Sequence, residues 1–407
     1  PVIIIDALDE CYSANDNSWQ SLLKSLIGWA GLPGVFKLVV TSRDHGDLRK
    51  KLGQMSHQID LTTGELASDD SKSDIRRFFT TRFAEIREDF SLPPEWPGEA
   101  VIQELTDYAA GLFIWADIVV KYVGQRTSGC NPDKRLLDVL GDIRAHPGKE
   151  RGKLRVYDGG LDRLYARIVF DAFRLSTPDE RHNATRTLAA VVLAKEPLRK
   201  IDLIELLSTD TCDSGSIEST LRELSPIISI PGVNHEIRVC HKTISDFVLS
   251  HDRSAAAMEY VVQNWNRQMP DESVSDPRSF VPDCKRESRN LALACLELAR
   301  CNISFDIHSF VELLKQSSNL LYYTHQYWFE HFEDAGGDGI PRLKSLADAM
   351  KVAYGRLRRY AEDMLSANDE AIALTEHLRD TANFASQCVV RNLDGNLFTH
   401  LSDICFY

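Results

Sequence analysis

The chain opens PVIIIDALDE, residues 1–10. Four β-branched residues, Val2 to Ile5, run without a polar break and then meet three carboxylates, Asp6, Asp9 and Glu10. Such a run predicts the strand of a parallel sheet covered on both faces. The residues after this turn agree in pattern. SWQSLLKSLIGWAGL (18–32) places Trp19, Leu22, Leu23, Leu26, Ile27 and Ala30 at helical spacing. GVFKLVVTSR (34–43) is a second apolar strand with a polar end, DLRKKL a short helix, and SHQIDL (56–61) a third strand. Strand–helix–strand–helix–strand is the α/β order of a doubly wound sheet, here cut off on its N-terminal side.

Past residue 62 the strand pattern gives way to helices. SDIRRFFTTRFAEI (73–86), EAVIQELTDYAAGLFIWADIVVKYV (99–123) and DKRLLDVLGDIR (133–144) have helical apolar periods, with the linker SLPPEWPG between the first two. GLDRLYARIVFDAF (160–173) opens another block, and Ser176-Thr177-Pro178 predicts a capped helix start with proline in its first turn. Two further helices, a hairpin about Pro231-Gly232 and the helix KTISDFVLS give a winged-helix pattern. In the remainder the clearest helices are NLALACLELARC (290–301) and LLYYTHQYWFEHF (320–332). The expected fold class is mostly α with an N-terminal, truncated α/β portion (1–62). A helical domain (63–158), a winged-helix domain (159–255) and a C-terminal helical region (256–407) follow it.

Composition narrows the function. Charged residues make up 26% and hydrophobic ones 43%, which places the chain among globular proteins. Its net charge of −13 argues against nucleic acid or an anionic membrane as the main partner. The nine cysteines form no CxxC pair, as expected of reduced thiols in a cytoplasmic protein. The most apolar segment, 109–120, is interrupted by Asp117 and too short to span a bilayer.

The acidic turn after the first strand has a chemical use. Ligands of such sheets bind beyond the carboxyl ends of the strands. There Asp6 can hold Mg²⁺ directly or through water, and Asp9 or Glu10 can reach an attacking water. An acidic turn that is merely solvated is the plain alternative. The neighbouring LVVTSR weighs against it, because Arg43 stands just past that strand's tip, where a guanidinium senses a terminal phosphate.

DALDEC, TSRDHGDL and SDIRRFF together resemble the NACHT type of STAND P-loop NTPases, the relatives of NLR immune receptors, and most of all the NACHT proteins of mushroom-forming fungi. By that resemblance Asp6 is the Walker B aspartate, Asp9 and Glu10 the acidic pair implicated in hydrolysis, and Arg43 the sensor-1 arginine. GLFIWA (111–116) resembles a helix start of the fungal helical domain, with Phe113 where animal and plant relatives have proline. IRVCHKTISDFVLS resembles the end of the winged helix, where His241 would touch the β-phosphate of bound ADP. The resemblance implies Mg and ATP or ADP as cofactors. It also implies a slow ATPase switch in defence, nonself recognition or cell death, homo-oligomerisation on activation, and protein partners held by further domains.

A phosphate cradle G-x-x-x-x-G-K-[ST] occurs nowhere in the 407 residues. In a P-loop fold it lies N-terminal to the Walker B strand, so the chain is expected to be a fragment that starts after its own P-loop and binds nucleotide weakly or not at all. A helical interaction scaffold with a degenerate NTPase remnant is the first rival reading. A winged-helix DNA regulator is the second, and residues 178–250, with 8 Lys and Arg against 11 Asp and Glu, have the wrong sign for it. His325 and His331, six residues apart, do not share a helix face; they are expected to be rim residues rather than ligands, within a stripe expected to be core.

Overall fold

The computed structural model describes residues 2–11, 17–30, 37–43, 46–52, 57–59, 67–127, 131–145, 159–208, 213–231, 236–303 and 319–336. The chain is mostly helical, with two small sheets, and divides into two compact units, residues 1–62 and 63–407.

In the first unit β1 (Val2–Ile5) pairs in parallel with β2 (Lys37–Val40), in a register that sets Ile5 opposite Val40. Between them lie a 3₁₀ turn, Leu8–Cys11, and α1 (Asn17–Ala30); α2 (Gly46–Leu52) follows β2. Leu8, Trp19, Leu23, Leu26 and Leu48 form the core, with Ile5, Leu38 and Val40 packed against it. The expectation of a strand covered on both faces is corrected: Val2 and Ile4 are 61% and 69% exposed. Among the described residues this sheet has two strands, and the helical core covers one face of it. Of the third strand expected at 56–61, residues 57–59 are described and have no regular structure.

The second unit begins with α3 (Asp69–Asp89), whose N-cap Ser68 accepts a hydrogen bond from the Ser71 N–H. Ile75, Phe79, Phe83 and Ile86 repeat at 3–4-residue spacing along α3 and are its buried stripe. The helical stretch expected over 99–123 is two helices, α4 (Glu99–Ala109) and α5 (Phe113–Val123), the second starting within GLFIWA. Ala110 and Gly111 at the break have φ of 47° and 84°, left-handed values that end a helix. Phe113 is thus the first residue of α5, where proline is well tolerated, and it packs edge-on against Phe78.

α6 (Pro132–Ala145) and α7 (Gly160–Phe173) follow. α8 (Pro178–Leu193) starts with a capping box in which the Glu180 N–H donates to the Thr177 hydroxyl and the Thr177 N–H to the Glu180 carboxylate. α9 (Lys200–Leu207), α10 (Ser214–Glu223), an antiparallel pair β3 (Ile228–Ser229) and β4 (Arg238–Val239), and α11 (Lys242–Leu249) come next. The hairpin is far shorter than expected, and Gly232 in its turn lies outside the described residues. α12 (His251–Gln268), α13 (Cys284–Ile303) and α14 (Asn319–Asp334) complete the described part; residues 337–407 lie outside it. One core cluster runs through the unit from Ile75 to Phe332. No described helix is long and apolar enough to cross a membrane.

Charges are buried in this core. Arg167 on α7 is 2% exposed and donates through Nε and Nη2 to the two oxygens of Asp142 on α6, at 2.8 and 2.7 Å. Asp142 also accepts from Asn264 on α12 at 2.8 Å, while the Tyr122 hydroxyl of α5 donates to Asp171 on α7. Burial works against the Arg167 charge, but Asp142 and Asp171 outweigh it and hold the guanidinium charged. His331, expected on a rim, is fully buried: its Nε2 lies 2.7 Å from the Tyr323 hydroxyl and, among the described residues, its Nδ1 has no hydrogen-bond partner. The aromatic stripe around it is core as expected, with Tyr323, Trp328 and Phe332 buried.

Candidate functional site

The parallel register fixes what meets at the end of the first sheet. Ile5 faces Val40, so Asp6 emerges opposite Thr41. The Thr41 N–H donates to the Ile5 carbonyl at 3.0 Å, and the Thr41 carbonyl accepts from the Leu8 N–H at 2.9 Å. Its hydroxyl accepts from the Ala7 N–H at 2.8 Å and donates to Asp6 Oδ1. Between these bonds Ala7 turns with φ 53°, a left-handed conformation unusual for a non-glycine residue. Leu8, the next residue, is buried in the small core and anchors the 3₁₀ turn that carries Asp9 and Glu10.

Asp9 is committed to residue 43. Its Oδ1 accepts the Arg43 backbone N–H at 3.0 Å, and its Oδ2 lies 3.7 Å from the Arg43 Nε. Burial by itself raises the Asp9 pKa. The backbone N–H groups of Arg43 and Asp9, the Arg43 charge and the Ser42 hydroxyl more than reverse this and hold the carboxyl below its ordinary value. Asp6 and Arg43 are exposed at the strand tips. The structure therefore brings Asp6, Asp9 and Arg43 to one end of one sheet, as the sequence predicts; the side chain of Glu10 lies outside what it describes.

His241 belongs to the second unit. It is the N-cap of α11, and its Nδ1 accepts from the Thr243 N–H at 3.2 Å and lies 2.8 Å from the Thr243 hydroxyl. That hydroxyl is in turn 2.7 Å from the hydroxyl of Tyr165. Through Nδ1, His241 thus does locally what a Ser, Thr, Asp or Asn oxygen does at other helix starts, taking up a free N–H of the first turn.

The donor set at the sheet end suits a magnesium ion that keeps most of its water. Such an ion takes one or two carboxylates and completes its shell with water and substrate phosphates. Asp6 could supply one such oxygen; among the described residues no group of three or more His, Cys, Asp or Glu gathers as a closed metal cage. Thr41 is the residue that reading the motifs alone overlooks. Its signal is nonetheless in the sequence, as the hydroxyl residue at the strand end that parallel pairing sets against Asp6. No family model, no curated protein and no solved structure matches the chain.

Proposed function

We propose that the chain is part of a NACHT-type STAND switch, in which exchange of ADP for ATP drives conformational change and oligomerisation in the cytoplasm, in defence, nonself recognition or cell death. Residues 1–62 would be the Walker B and sensor-1 part of its nucleotide domain, 63–158 its helical domain, 159–255 its winged helix and 256–407 its C-terminal helical region. The observation that carries this reading is the juxtaposition of Asp6 with Thr41 and Arg43 at adjacent tips of parallel strands.

In this reading Asp6 holds Mg²⁺, directly or through water, and Arg43 meets the terminal phosphate of the bound nucleotide. Bound magnesium would neutralise charge developing on the phosphates. Asp9, with both oxygens turned to residue 43, positions Arg43, and the water-orienting role passes to Glu10. His241 would contribute to the β-phosphate in the closed state while its Nδ1 caps α11.

The scaffold reading holds if the whole protein has no G-x-x-x-x-G-K-[ST], a motif that the 407 residues do not contain. The encoding transcript separates the two. The expected result is an in-frame phosphate loop between a strand and a helix upstream of codon 1. ATP binding by the longer product is then weakened at least about tenfold by Arg43→Ala, a loss of about 1.4 kcal/mol. A start codon next to Pro1 with no such loop sinks the switch and leaves the scaffold.

A further inference from the structure

Asp6 has two carboxylate oxygens, and they are not equivalent. Oδ1 accepts the Thr41 hydroxyl proton, whereas among the described residues Oδ2 accepts no hydrogen bond. Thr41 has little freedom to change this. Its backbone is held by the Ile5 carbonyl and the Leu8 N–H, its oxygen also accepts the Ala7 N–H, and a β-branched side chain has few χ1 alternatives. Asp9, three residues on, is drawn toward Arg43, whose backbone N–H donates to Oδ1 at 3.0 Å and whose Nε lies 3.7 Å from Oδ2.

We propose that Thr41 is the positioning residue of this site, holding the Asp6 carboxylate by Oδ1 so that Oδ2 alone is presented to a divalent cation or to a water bound to it. The proposal rests on the reading of Asp6 as the cation-holding carboxylate and adds to it the residue that sets its orientation. A hydroxyl hydrogen bond of this kind fixes a ligand's direction and tunes its basicity, and its loss weakens metal binding without removing the ligand. A hydroxyl that merely closed the turn after β1 would instead affect folding and leave cation affinity alone.

The test uses the whole 407-residue chain and Mn²⁺ alone as the probe, with bound metal counted by electron paramagnetic resonance and folding followed by thermal melting. Asp6→Asn is expected to abolish the site. Thr41→Val, similar in shape but without the hydroxyl, is expected to weaken Mn²⁺ about tenfold, and Thr41→Ser to return affinity to within about twofold of the parent. If Thr41→Val does not fold, Thr41→Cys, of similar size and a much weaker donor, replaces it with the same expected loss. Unchanged affinity in Thr41→Val or Thr41→Cys, with Asp6→Asn still abolishing binding, overturns the role of Thr41 and leaves the cation reading standing. Binding that survives Asp6→Asn, or a parent that takes up no Mn²⁺, overturns the cation reading and the proposal with it.

Discussion

The two units use polar side chains in opposite ways. Among the described residues of 1–62 five buried apolar side chains support a two-stranded sheet, and the charged groups Asp6, Asp9 and Arg43 stand at its end near the surface. Among the described residues of 63–407 a core running from α3 to α14 takes ionisable groups inside, with Arg167, Asp142, Glu287 and His331 all buried. A carboxylate at a strand tip keeps its solvation and remains available to a ligand. A carboxylate inside a helical core needs partners there, and Asp142, bonded through both oxygens to Arg167 and Asn264, ties α6, α7 and α12 together. Stability is therefore expected to reside in the second unit and recognition in the first.

The largest effect that tests this contrast is at Arg167. Methionine there fills much of the space but leaves Asp142 buried with only Asn264 beside its carboxylate. Breaking one partner of a buried ion pair costs about 3–5 kcal/mol, so Arg167→Met is expected to lower the unfolding free energy, read from urea titration, by that amount. A loss under about 1 kcal/mol, the range of surface pairs, would mean that water reaches the pair and that the contrast between the units is wrong.

How much of this was legible in the sequence depends on the kind of interaction. Helices α3, α6 and α7 follow from apolar spacing, and Thr177-Pro178 marks the start of α8 as its capping box requires. Apolar period alone runs through the break at Ala110, because alanine favours helix; Gly111 and the resemblance of GLFIWA to a helix start are what mark it. Exposure of Val2 and Ile4 was hidden, since a β-branched run reports strand preference and not what covers it. Asp6 and Arg43 were legible as strand-tip residues. Thr41 needed the register, and the Arg167–Asp142 pair needed the packing of α6 on α7, neither of which a single sequence displays.

Two groups of the second unit, buried His331 and half-buried Asp138, give stability of opposite slope against pH. Burial, helped by nearby Lys195 and opposed by Asp334, lowers the His331 pKa to about 4. The unfolded chain, with a histidine pKa of about 6.5, then binds the proton first as the pH falls. Stability from this group is complete above about pH 6.5 and is lost down to about pH 4, on the order of 3 kcal/mol in all.

Asp138 on α6 behaves inversely. Burial and then the Asp171 charge raise its pKa to about 6, against the opposing charges of Arg167 and Lys134. Here the folded chain binds the proton first, so the contribution is present below the unfolded value of about 3.9 and is lost as the pH rises through about 6. Asp138→Asn is expected to be more stable than the parent above about pH 6, by on the order of 3 kcal/mol. His331→Gln is expected to lose less stability than the parent between about pH 6.5 and 4. Urea titrations across that range check both signs, and a parent and Asp138→Asn of equal slope would place Asp138 in water.

The smallest effect belongs to the first unit. Ala7 holds a left-handed φ of 53°, which costs an L-residue about 1 kcal/mol, and glycine adopts that conformation freely. Glycine also gains freedom in the unfolded chain, which offsets about 0.4–1 kcal/mol of the relief. Ala7→Gly is thus expected to raise the stability of the first unit by less than about 1 kcal/mol, the balance of those two effects. The sharper measurement is the double-mutant cycle with Thr41→Val, read by thermal melting. The Ala7 N–H is held by the Thr41 hydroxyl, so removing the hydroxyl frees the strained turn to relax. Glycine then has less strain to relieve, and its gain should shrink in the Thr41→Val background. Strictly additive effects would mean that the bond does not hold the turn, and that the left-handed Ala7 is fixed instead by the burial of Leu8 next to it.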